Sequence, residues 1–310
     1  MAIPILGVVH ANINCSDLTR STAFYRELLG LEVMAHTHPK PQDGTGFGLP
    51  GDVEWDAHIL QYGHALGSTA LDLLEWKLPP PVGSPYAEAH HLGAFRLCFL
   101  VRDIDALYQR LRARDVPCLS APVEVPVEPE KGLRVRVFLC KDPDGTVLEF
   151  VEQREMEPQL IHVNVNCSDL RRSLDWYQRV LELEITGHSQ PGPVSGEAFG
   201  LAGEVEWEAY FLFPRGRPAS FGIDLLEWKR PRPVGRPYSS ANHLGLYRVA
   251  FLVADARASY EELRAQGVTC PPPVWLDMGP EIPVDGLWAV FFSDPDGTFL
   301  ELIQAPEVRG

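Results

Sequence analysis

Alternation of apolar and polar positions predicts one order of short strands and helices that recurs along the chain. Residues 8–14 alternate as a half-buried strand does, Ser16 or Asp17 offers a helix N-cap, and a helix with one apolar face runs to Leu29 and ends at Gly30. Three further short strands are predicted at 31–35, 55–61 and 70–76. The pattern predicts a module with the order β-α-β-β-β.

The same order begins again after a proline-rich connection. A strand is predicted over 95–101, and Asp103 caps a helix. Apolar residues of this helix follow the spacing of one helical face, namely Ile104, Leu107, Tyr108 and Leu111. The remaining strands are predicted near Val116 and at 134–139 and 146–151. A second module follows from this pattern.

The two modules are then repeated at a constant offset of 152 residues. His10-Ala-Asn-Ile-Asn-Cys-Ser-Asp-Leu18 returns as His162-Val-Asn-Val-Asn-Cys-Ser-Asp-Leu170. Because the same offset also relates Trp55 to Trp207 and Glu149 to Glu301, the halves align without a net gap. We therefore predict an α+β protein with four modules in two domains, residues 1–152 and 153–310.

Charge and composition indicate which kinds of molecule this protein binds. Asp and Glu outnumber Lys and Arg by 42 to 27, which gives a net charge of −15 and disfavours nucleic acid and anionic membranes as partners. No apolar run approaches the roughly 18 residues of a membrane span. The six cysteines form no Cys-x-x-Cys pair and no export signal is evident, so reduced thiols and a cytoplasmic location are expected. A small-molecule partner fits best.

Turns of sequence Asp-Pro-Asp-Gly at 142–145 and 294–297 each lead into a strand that carries an acid, Glu149 or Glu301. Together with the opening histidine strand and the Phe-Tyr-x-x-x-Leu-Gly-Leu-Glu run at 24–32, this arrangement resembles the vicinal oxygen chelate superfamily. That group includes glyoxalase I, bleomycin-resistance proteins and extradiol dioxygenases. The resemblance covers nearly the whole chain and implies two glyoxalase-like half-barrel domains, whose sites can combine modules from both halves.

The resemblance also implies a divalent metal, Fe, Mn, Ni, Zn or Co, bound on the concave face of each half-barrel. The implied metal ligands are His10, Glu75, Glu149, His162, Glu227 and Glu301. The four glutamates of this set are also the candidate catalytic residues, as ligand or general base. Strand alternation leaves the direction of Glu75 open, since Asp72 and Leu74 share one side of the strand while Leu73 and Glu75 share the other.

Arg96 and Arg248 depart from the family pattern, in which a histidine often stands at this position. Guanidinium does not ligate metals, and its presence breaks the two-histidine, one-carboxylate set of ring-cleaving iron dioxygenases. Each arginine either replaces the metal by pairing with the glutamates or holds a substrate anion beside a metal. Further candidates for substrate binding, on a pocket wall or lid, are Trp55, Trp207, Tyr86, Tyr238, His91 and His243.

These residues predict a small-molecule enzyme, with isomerase, lyase, cyclase or epimerase chemistry through an enolate or oxyanion intermediate. Dioxygenase chemistry ranks lower because of the arginines. The alternative is a non-catalytic binding protein of the bleomycin-resistance type, in which arginine replaces the metal. The sequence leaves open the substrate, the active half and whether the chain is a monomer or a homodimer.

Overall fold

Each predicted module forms in the computed structural model, which describes residues 2–63, 69–217, 221–279 and 286–304. Within those ranges the strands are β1 (Gly7–Asn14), β2 (Glu32–Thr37), β3 (Gln42–Asp43), β4 (Asp52–Gln61), β5 (Ala70–Leu78), β6 (Gly93–Val101), β7 (Val123–Glu128), β8 (Leu133–Lys141), β9 (Val147–Glu152), β10 (Gln159–Asn166), β11 (Leu183–Ser189), β12 (Val194–Ser195), β13 (Glu204–Pro214), β14 (Gly222–Arg230), β15 (Gly245–Val253), β16 (Val274–Asp277), β17 (Gly286–Ser293) and β18 (Phe299–Gln304). The helices are α1 (Leu18–Glu27), α2 (Ile104–Arg112), α3 (Leu170–Leu181) and α4 (Ala256–Ala265). Short 3-10 turns occupy Gly44–Phe47, Pro129–Lys131 and Glu197–Phe199.

An aspartate caps the N-terminus of every α-helix in the described part of the chain. In each case the carboxylate accepts a hydrogen bond from a backbone N–H of the first turn, which would otherwise lack a partner. The caps are Asp17, Asp103, Asp169 and Asp255. None of the described helices is long and apolar enough to span a membrane.

The strands form two curled sheets, and each sheet combines one module from each sequence repeat. The first has the strand order β16-β17-β18-β15-β1-β5-β4-β2, and the second has β11-β13-β14-β10-β6-β9-β8-β7. Two short strands lie outside these orders: β3 pairs with β4, and β12 pairs with β13. We call these sheets the first and second half-barrels. Their modules meet where β1 pairs antiparallel with β15 and where β10 pairs antiparallel with β6.

The repeat boundary between residues 152 and 153 falls in the connection from β9 to β10. Each half-barrel takes strands from both sides of that boundary. The predicted half-barrel architecture is therefore present, with the mixed composition that the resemblance allowed. Division into domains 1–152 and 153–310 stays a prediction about the repeat.

Each face of the sheets carries its own apolar cluster. One packs the buried sides of all four helices against the strands, around residues such as Tyr25, Leu107 and Tyr177. The other lies on the opposite face, which we call the inner face, and is rich in aromatic rings, including Trp76 and Trp228. Burial of these rings supplies much of the hydrophobic free energy of folding.

One strand lies elsewhere than the pattern predicts. Near Val116 there is only an isolated bridge between Cys118 and Cys140, and the next strand, β7, begins at Val123. The segment in between contains Pro117 and Pro122. Proline has no N–H to donate, and the ladder with β8 is interrupted between the bridge and Val123. Pro126 is tolerated within β7 because β7 lies at the edge of its sheet.

The two proline-rich connections, residues 79–92 and 231–244, pack against each other. The rings of Tyr86 and Tyr238 stack with centroids 4.0 Å apart, and each hydroxyl accepts a hydrogen bond from the other tyrosine's backbone N–H. His91 stacks on Tyr86 and His243 on Tyr238, both at 4.1 Å. This four-ring stack joins the sequence repeats, and the connections serve as a clasp.

The Asp-Pro-Asp-Gly turns provide a second tie between the half-barrels. Asp144 accepts hydrogen bonds from Ser16 N–H at 2.9 Å and from the Arg20 guanidinium at 2.6 Å. Asp142 accepts from the backbone N–H of Thr146 at 2.8 Å and from the Tyr25 hydroxyl at 3.0 Å. Asp294 and Asp296 repeat both arrangements. A turn of one half-barrel thus holds the first helix of the other.

Gly83 tests the clasp because a methyl group there would collide with His243. A Cβ on Gly83 would lie 2.1 Å from His243 Nε2, at a backbone φ of +70°. Gly48 has a φ of +71° and open space around its Cβ position. We expect Gly48→Ala to lower the free energy of unfolding by about 1 kcal/mol, through backbone strain alone. Gly83→Ala should cost roughly 2–4 kcal/mol, since crowding adds to strain. Urea denaturation measures both, and equal losses would contradict a tightly packed clasp.

The buried turn aspartates predict a stability that depends on pH. Burial raises the pKa of Asp142 and of Asp294 to about 6, against about 3.9 in an unfolded chain. The folded protein therefore binds these protons more tightly, and each group's contribution is fully present below pH 4 and is lost as the pH rises through 6. Each loss is roughly 3 kcal/mol. Asp142→Asn should remove one such decline from urea-unfolding free energies measured between pH 4 and 7. The control is Asp52→Asn, which changes an exposed aspartate and should leave this decline as large as in the wild type. If the unfolding free energy of Asp142→Asn falls with pH as steeply as that of the wild type, the raised pKa of Asp142 is refuted.

Candidate functional site

Strand register brings the chemical residues of the second half-barrel onto two adjacent rows of its inner face. On the first row, His162 of β10, Cys98 of β6 and Glu149 of β9 are direct neighbours. On the second, Asp224 of β14 lies beside Asn164 of β10, which lies beside Arg96 of β6. Because side chains two residues apart point to the same face of a strand, the two rows form one group. We call these six residues the second cluster.

Arg96 is the centre of the second cluster. Its Nε donates to Glu149 Oε2 at 2.9 Å and its Nη2 donates to Asp224 Oδ2 at 2.8 Å. Asn164 donates to the same Asp224 oxygen at 3.1 Å, and His162 Nε2 lies 3.4 Å from Glu149 Oε2. Arg96 is only 4% exposed, so these ion pairs are formed away from water. The guanidinium thus bridges carboxylates from two modules.

These contacts set the protonation of the acids. Burial disfavours an ionised Glu149, but the Arg96 guanidinium, assisted by His162, lowers the pKa of this carboxyl to about 2. Burial raises the pKa of Asp224, and Arg96 opposes that shift. The two carboxylates in turn raise the pKa of Arg96 against the effect of burial. Glu149 is therefore a carboxylate at neutral pH and a weak base.

The first half-barrel carries a matching group, which we call the first cluster: His10, Asn12, Asp72, Arg248 and Glu301. Arg248 donates to Glu301 at 2.7 Å, to Asp72 at 3.3 Å and to Asn12 Oδ1 at 3.0 Å. The Arg248 guanidinium, assisted by His10, lowers the pKa of Glu301 despite burial. The first cluster thus repeats both the residue types of the second cluster and their ion pairs.

The clusters differ at two points. Ala250 occupies the first-cluster position that Cys98 occupies in the second, as the neighbour of both the histidine and the glutamate. The Nη1 of Arg96 has no hydrogen-bond partner among the described residues, whereas Nη1 of Arg248 donates to Asn12. Among the described residues, the second cluster therefore contains a guanidinium nitrogen without a hydrogen-bond partner, whereas every guanidinium nitrogen of Arg248 has one.

A cavity of about 500 Å³ lies over the second cluster. Its polar lining consists of Arg96, Glu128, Glu149, His162 and Asp224, with Thr186 and Ser189. The apolar walls come from strands of both modules and consist of Val125, Val127, Val135, Val137, Val151, Ile161, Phe199, Trp207, Ala209, Phe211, Phe213 and Leu226. This size is typical of small-molecule sites, and the mixture of an apolar wall with a few polar groups is as well.

Six of the predicted site residues come together as two triads. His162, Glu149 and Arg96 meet in the second cluster. His10, Glu301 and Arg248 meet in the first. Trp207 lines the cavity, with its indole N–H donating to Ser189. Trp55 packs against Phe47 and Trp76 on the inner face of the first half-barrel.

Glu75 and Glu227, predicted as ligands or bases, are not brought to either cluster. Glu75 accepts a hydrogen bond from the Leu18 N–H at the start of α1 and pairs with Lys77. Glu227 does the same with Leu170 of α3 and with Lys229. The correction follows from alternation, since an acid three residues from an inner-face position points to the helix side. There the carboxylate is stabilised by the N-terminal dipole of the helix.

Asp72 and Asp224 are the acids that sequence reasoning missed. Each stands three residues before the predicted glutamate, on the inner face of its strand. Two signals in the sequence point to them, although neither separates them from Glu75 and Glu227. They repeat at the offset of 152, and they share a strand side with Leu74 and Leu226.

Four predicted substrate-binding residues have another role. Tyr86, Tyr238, His91 and His243 form the clasp, and none of them is among the described residues that line the cavity. Their stacking contacts and hydrogen bonds occupy the ring faces and hydroxyls. The long connections pack on each other, and a role of these four residues in substrate binding stays a prediction.

A divalent metal held as the resemblance implies does not fit this donor set. The oxygens that would face the ion, Glu149 Oε2 and Asp224 Oδ2, are already bridged by Arg96. Donor atoms of Cys98, Glu149 and His162 lie within 4.8 Å of one another, which makes them a possible ligand group. However, burial, reinforced by Glu149, raises the pKa of the Cys98 thiol well above its usual range, and only a thiolate is a good ligand. The guanidinium occupies the position between the acids.

Replacing Arg96 by histidine should open this position to a metal. In Arg96→His two imidazoles and two carboxylates would face one another without a guanidinium between them, a set that suits Zn²⁺ or Ni²⁺. We expect close to one equivalent of metal after loading and dialysis, measured by elemental analysis, and far less for the wild type.

The matched control for this prediction is Arg102→His, which changes an exposed arginine paired with Glu157. It should bind no more metal than the wild type. Circular dichroism establishes that each variant is folded. Stoichiometric uptake by the wild type would show that Arg96 does not close the site.

Comparison with known proteins agrees with this architecture. The family model for the glyoxalase/bleomycin resistance protein/dioxygenase superfamily matches residues 7–150 and again 159–302. A lactoylglutathione lyase of Arabidopsis thaliana is 20% identical over 290 residues, which cover 93% of this chain and 88% of that protein. Glyoxalase I of Zea mays superposes with a TM-score of 0.67 at 17% identity, covering 96% of this chain and 92% of that one. A candidate dioxygenase from Bacillus subtilis gives 0.60 at 17% identity, covering 99% and 87%. This chain belongs to the glyoxalase/bleomycin resistance protein/dioxygenase superfamily.

Proposed function

We propose that the protein is a small-molecule enzyme of the isomerase or lyase type that moves a proton on a carbonyl compound held in the cavity of the second half-barrel. In this proposal Arg96 replaces the divalent metal. The observation that carries it is the bridge from Arg96 to Glu149 and Asp224, beside His162, at the floor of an apolar cavity.

The apolar walls support binding of a mostly apolar molecule. They remove both the ligand and the walls from water, and roughly 25 cal/mol is gained for each Å² of apolar surface buried. Trp207 and Phe211 add aromatic rings to this apolar wall. Exclusion of water also strengthens electrostatic interactions at the polar floor.

His162 is the group best placed to take a proton. Its imidazole lines the cavity, and its Nε2 lies 3.4 Å from Glu149. Glu149 itself is held by Arg96, and an ion-paired carboxylate is a weak base. The carboxylate would instead stabilise the imidazolium that forms when His162 accepts a proton, so Glu149 is a positioning residue.

Arg96 supports the other half of the reaction. Because the Glu149 carboxylate only accepts hydrogen bonds, His162 Nε2 carries the proton of that contact and the base is the other ring nitrogen, Nδ1. When Nδ1 removes a proton from a carbon next to a carbonyl group, the C–H electron pair moves to the carbonyl oxygen and gives an enolate. The unpartnered Nη1 of Arg96 can donate a hydrogen bond to that oxygen. Return of the proton to a neighbouring atom completes an isomerisation. Net charge in the site is unchanged throughout.

The polar floor also favours catalysis over simple sequestration. Burial of two carboxylates and a guanidinium costs several kcal/mol for each ion before pairing, and apolar residues of similar volume are often as stable. A cavity required only to hold an apolar ligand has no need of that floor. Similarity to a lactoylglutathione lyase over 93% of the chain supports an enzymatic role in the same direction.

Hydrogen exchange on a model ketone tests this function. The methyl hydrogens of 1-phenylpropane-1,2-dione lie next to a carbonyl group, and proton NMR in D₂O follows their replacement by deuterium. We expect the wild type to accelerate the exchange and His162→Ala to lose at least about tenfold of the enzymatic rate, the lower part of a general base's usual contribution.

His36→Ala is the control for exchange, because this histidine pairs with Asp56 outside both clusters. Its rate should equal that of the wild type. Binding of the dione without any acceleration would favour the non-catalytic alternative. Full exchange by His162→Ala would remove His162 as the base.

A further inference from the structure

The charged groups around the cavity are unevenly balanced. Among the described residues that line it, the acids are Glu128, Glu149 and Asp224, and the only lysine or arginine is Arg96. An incoming ligand therefore meets three carboxyl groups and one guanidinium. These four groups carry a net formal charge of −2, which makes the cavity wall repel anions.

Arg96 is not free to compensate a ligand anion. Its Nε and Nη2 are committed to Glu149 and Asp224, at 2.9 and 2.8 Å. Only Nη1 remains without a partner. Nη1 can donate a hydrogen bond to a neutral carbonyl oxygen, whereas a ligand carboxylate brings a full extra negative charge to a buried cation that already faces two carboxylates.

Glu128 places the third carboxylate apart from this floor, at the end of β7. Its side chain is 14% exposed and pairs with Lys131, whose own side chain is 63% exposed. The compensating ammonium is thus largely in solvent, where an ion pair is worth little. Glu128 therefore remains a negatively charged residue in the cavity lining.

We infer that the second half-barrel selects uncharged carbonyl compounds and excludes carboxylates and phosphates, with Glu128 as a specificity-determining residue. This inference rests on the proposed function, since it names the substrate class of that site. Proton transfer to His162 creates an imidazolium and an enolate together, so the reaction adds no net charge. An anionic substrate would add one that no group in the cavity compensates.

Two ligands of the same shape test the inference. 1-Phenylpropane-1,2-dione and benzoylformate share a phenyl ring and adjacent carbonyl groups, and differ in a terminal methyl group against a carboxylate oxygen. Their dissociation constants for the wild type are measured at pH 7.5 and low salt, by quenching of tryptophan fluorescence and by calorimetry. We expect the dione to bind at least about tenfold more tightly, a difference of about 1.4 kcal/mol.

Substitution of Glu128 locates the cause of the discrimination. Glu128→Gln keeps the size of the side chain and removes its charge, and it should tighten benzoylformate binding several-fold while leaving the dione unchanged. Glu124→Gln is the matched control, because Glu124 lies on the same strand, is exposed and pairs with Arg134. It should change neither constant.

The outcomes separate this inference from the proposed function. Equal or tighter binding of benzoylformate to the wild type overturns the charge selection, while accelerated exchange on the dione would leave the proposed function standing. An unchanged preference in Glu128→Gln removes Glu128 as its determinant. If neither ligand binds, both the substrate class and the proposed function are refuted.

Discussion

Each half-barrel depends on one buried guanidinium that holds two carboxylates from different modules. Arg96 joins Glu149 of its own module to Asp224 across the seam between β6 and β10. Arg248 joins Glu301 to Asp72 across the seam between β15 and β1. Loss of either arginine would leave two buried carboxylates without a counter-charge, which is far more costly than the net value of the pairs. Each cluster therefore stabilises the seam between the two modules of its half-barrel.

Most of the fold could be predicted because its signals are local. Alternation located the inner strands, aspartate N-caps marked the helices, and the constant offset of 152 revealed the duplication. The strand predicted near Val116 is only an isolated bridge at Cys118, and a continuous strand begins at Val123. Which modules share a sheet is set by contacts far apart in the sequence, and no local pattern carries that information.

Part of the candidate site could also be predicted from local sequence signals. His162, Arg96 and Glu149 are distinctive residues on strongly patterned strands, and they meet as expected. Glu75 was preferred over Asp72 because the apolar run around them hides which side faces inward; only pairing with β1 settles it. The clasp tyrosines could not be assigned from sequence, since stacking between two long connections depends on their path.

Each half-barrel combines modules from both sequence repeats, and this affects the symmetry between the two clusters. A homodimer of one repeat could build the same two half-barrels, but its two clusters would then be identical in sequence by necessity. Joining the repeats in one chain removes that constraint and lets each cluster vary alone. Cys98 in one and Ala250 in the other, at matching positions, are the mark of this freedom. The covalent link also replaces association of two chains by an intramolecular contact, so pairing of the modules no longer depends on protein concentration.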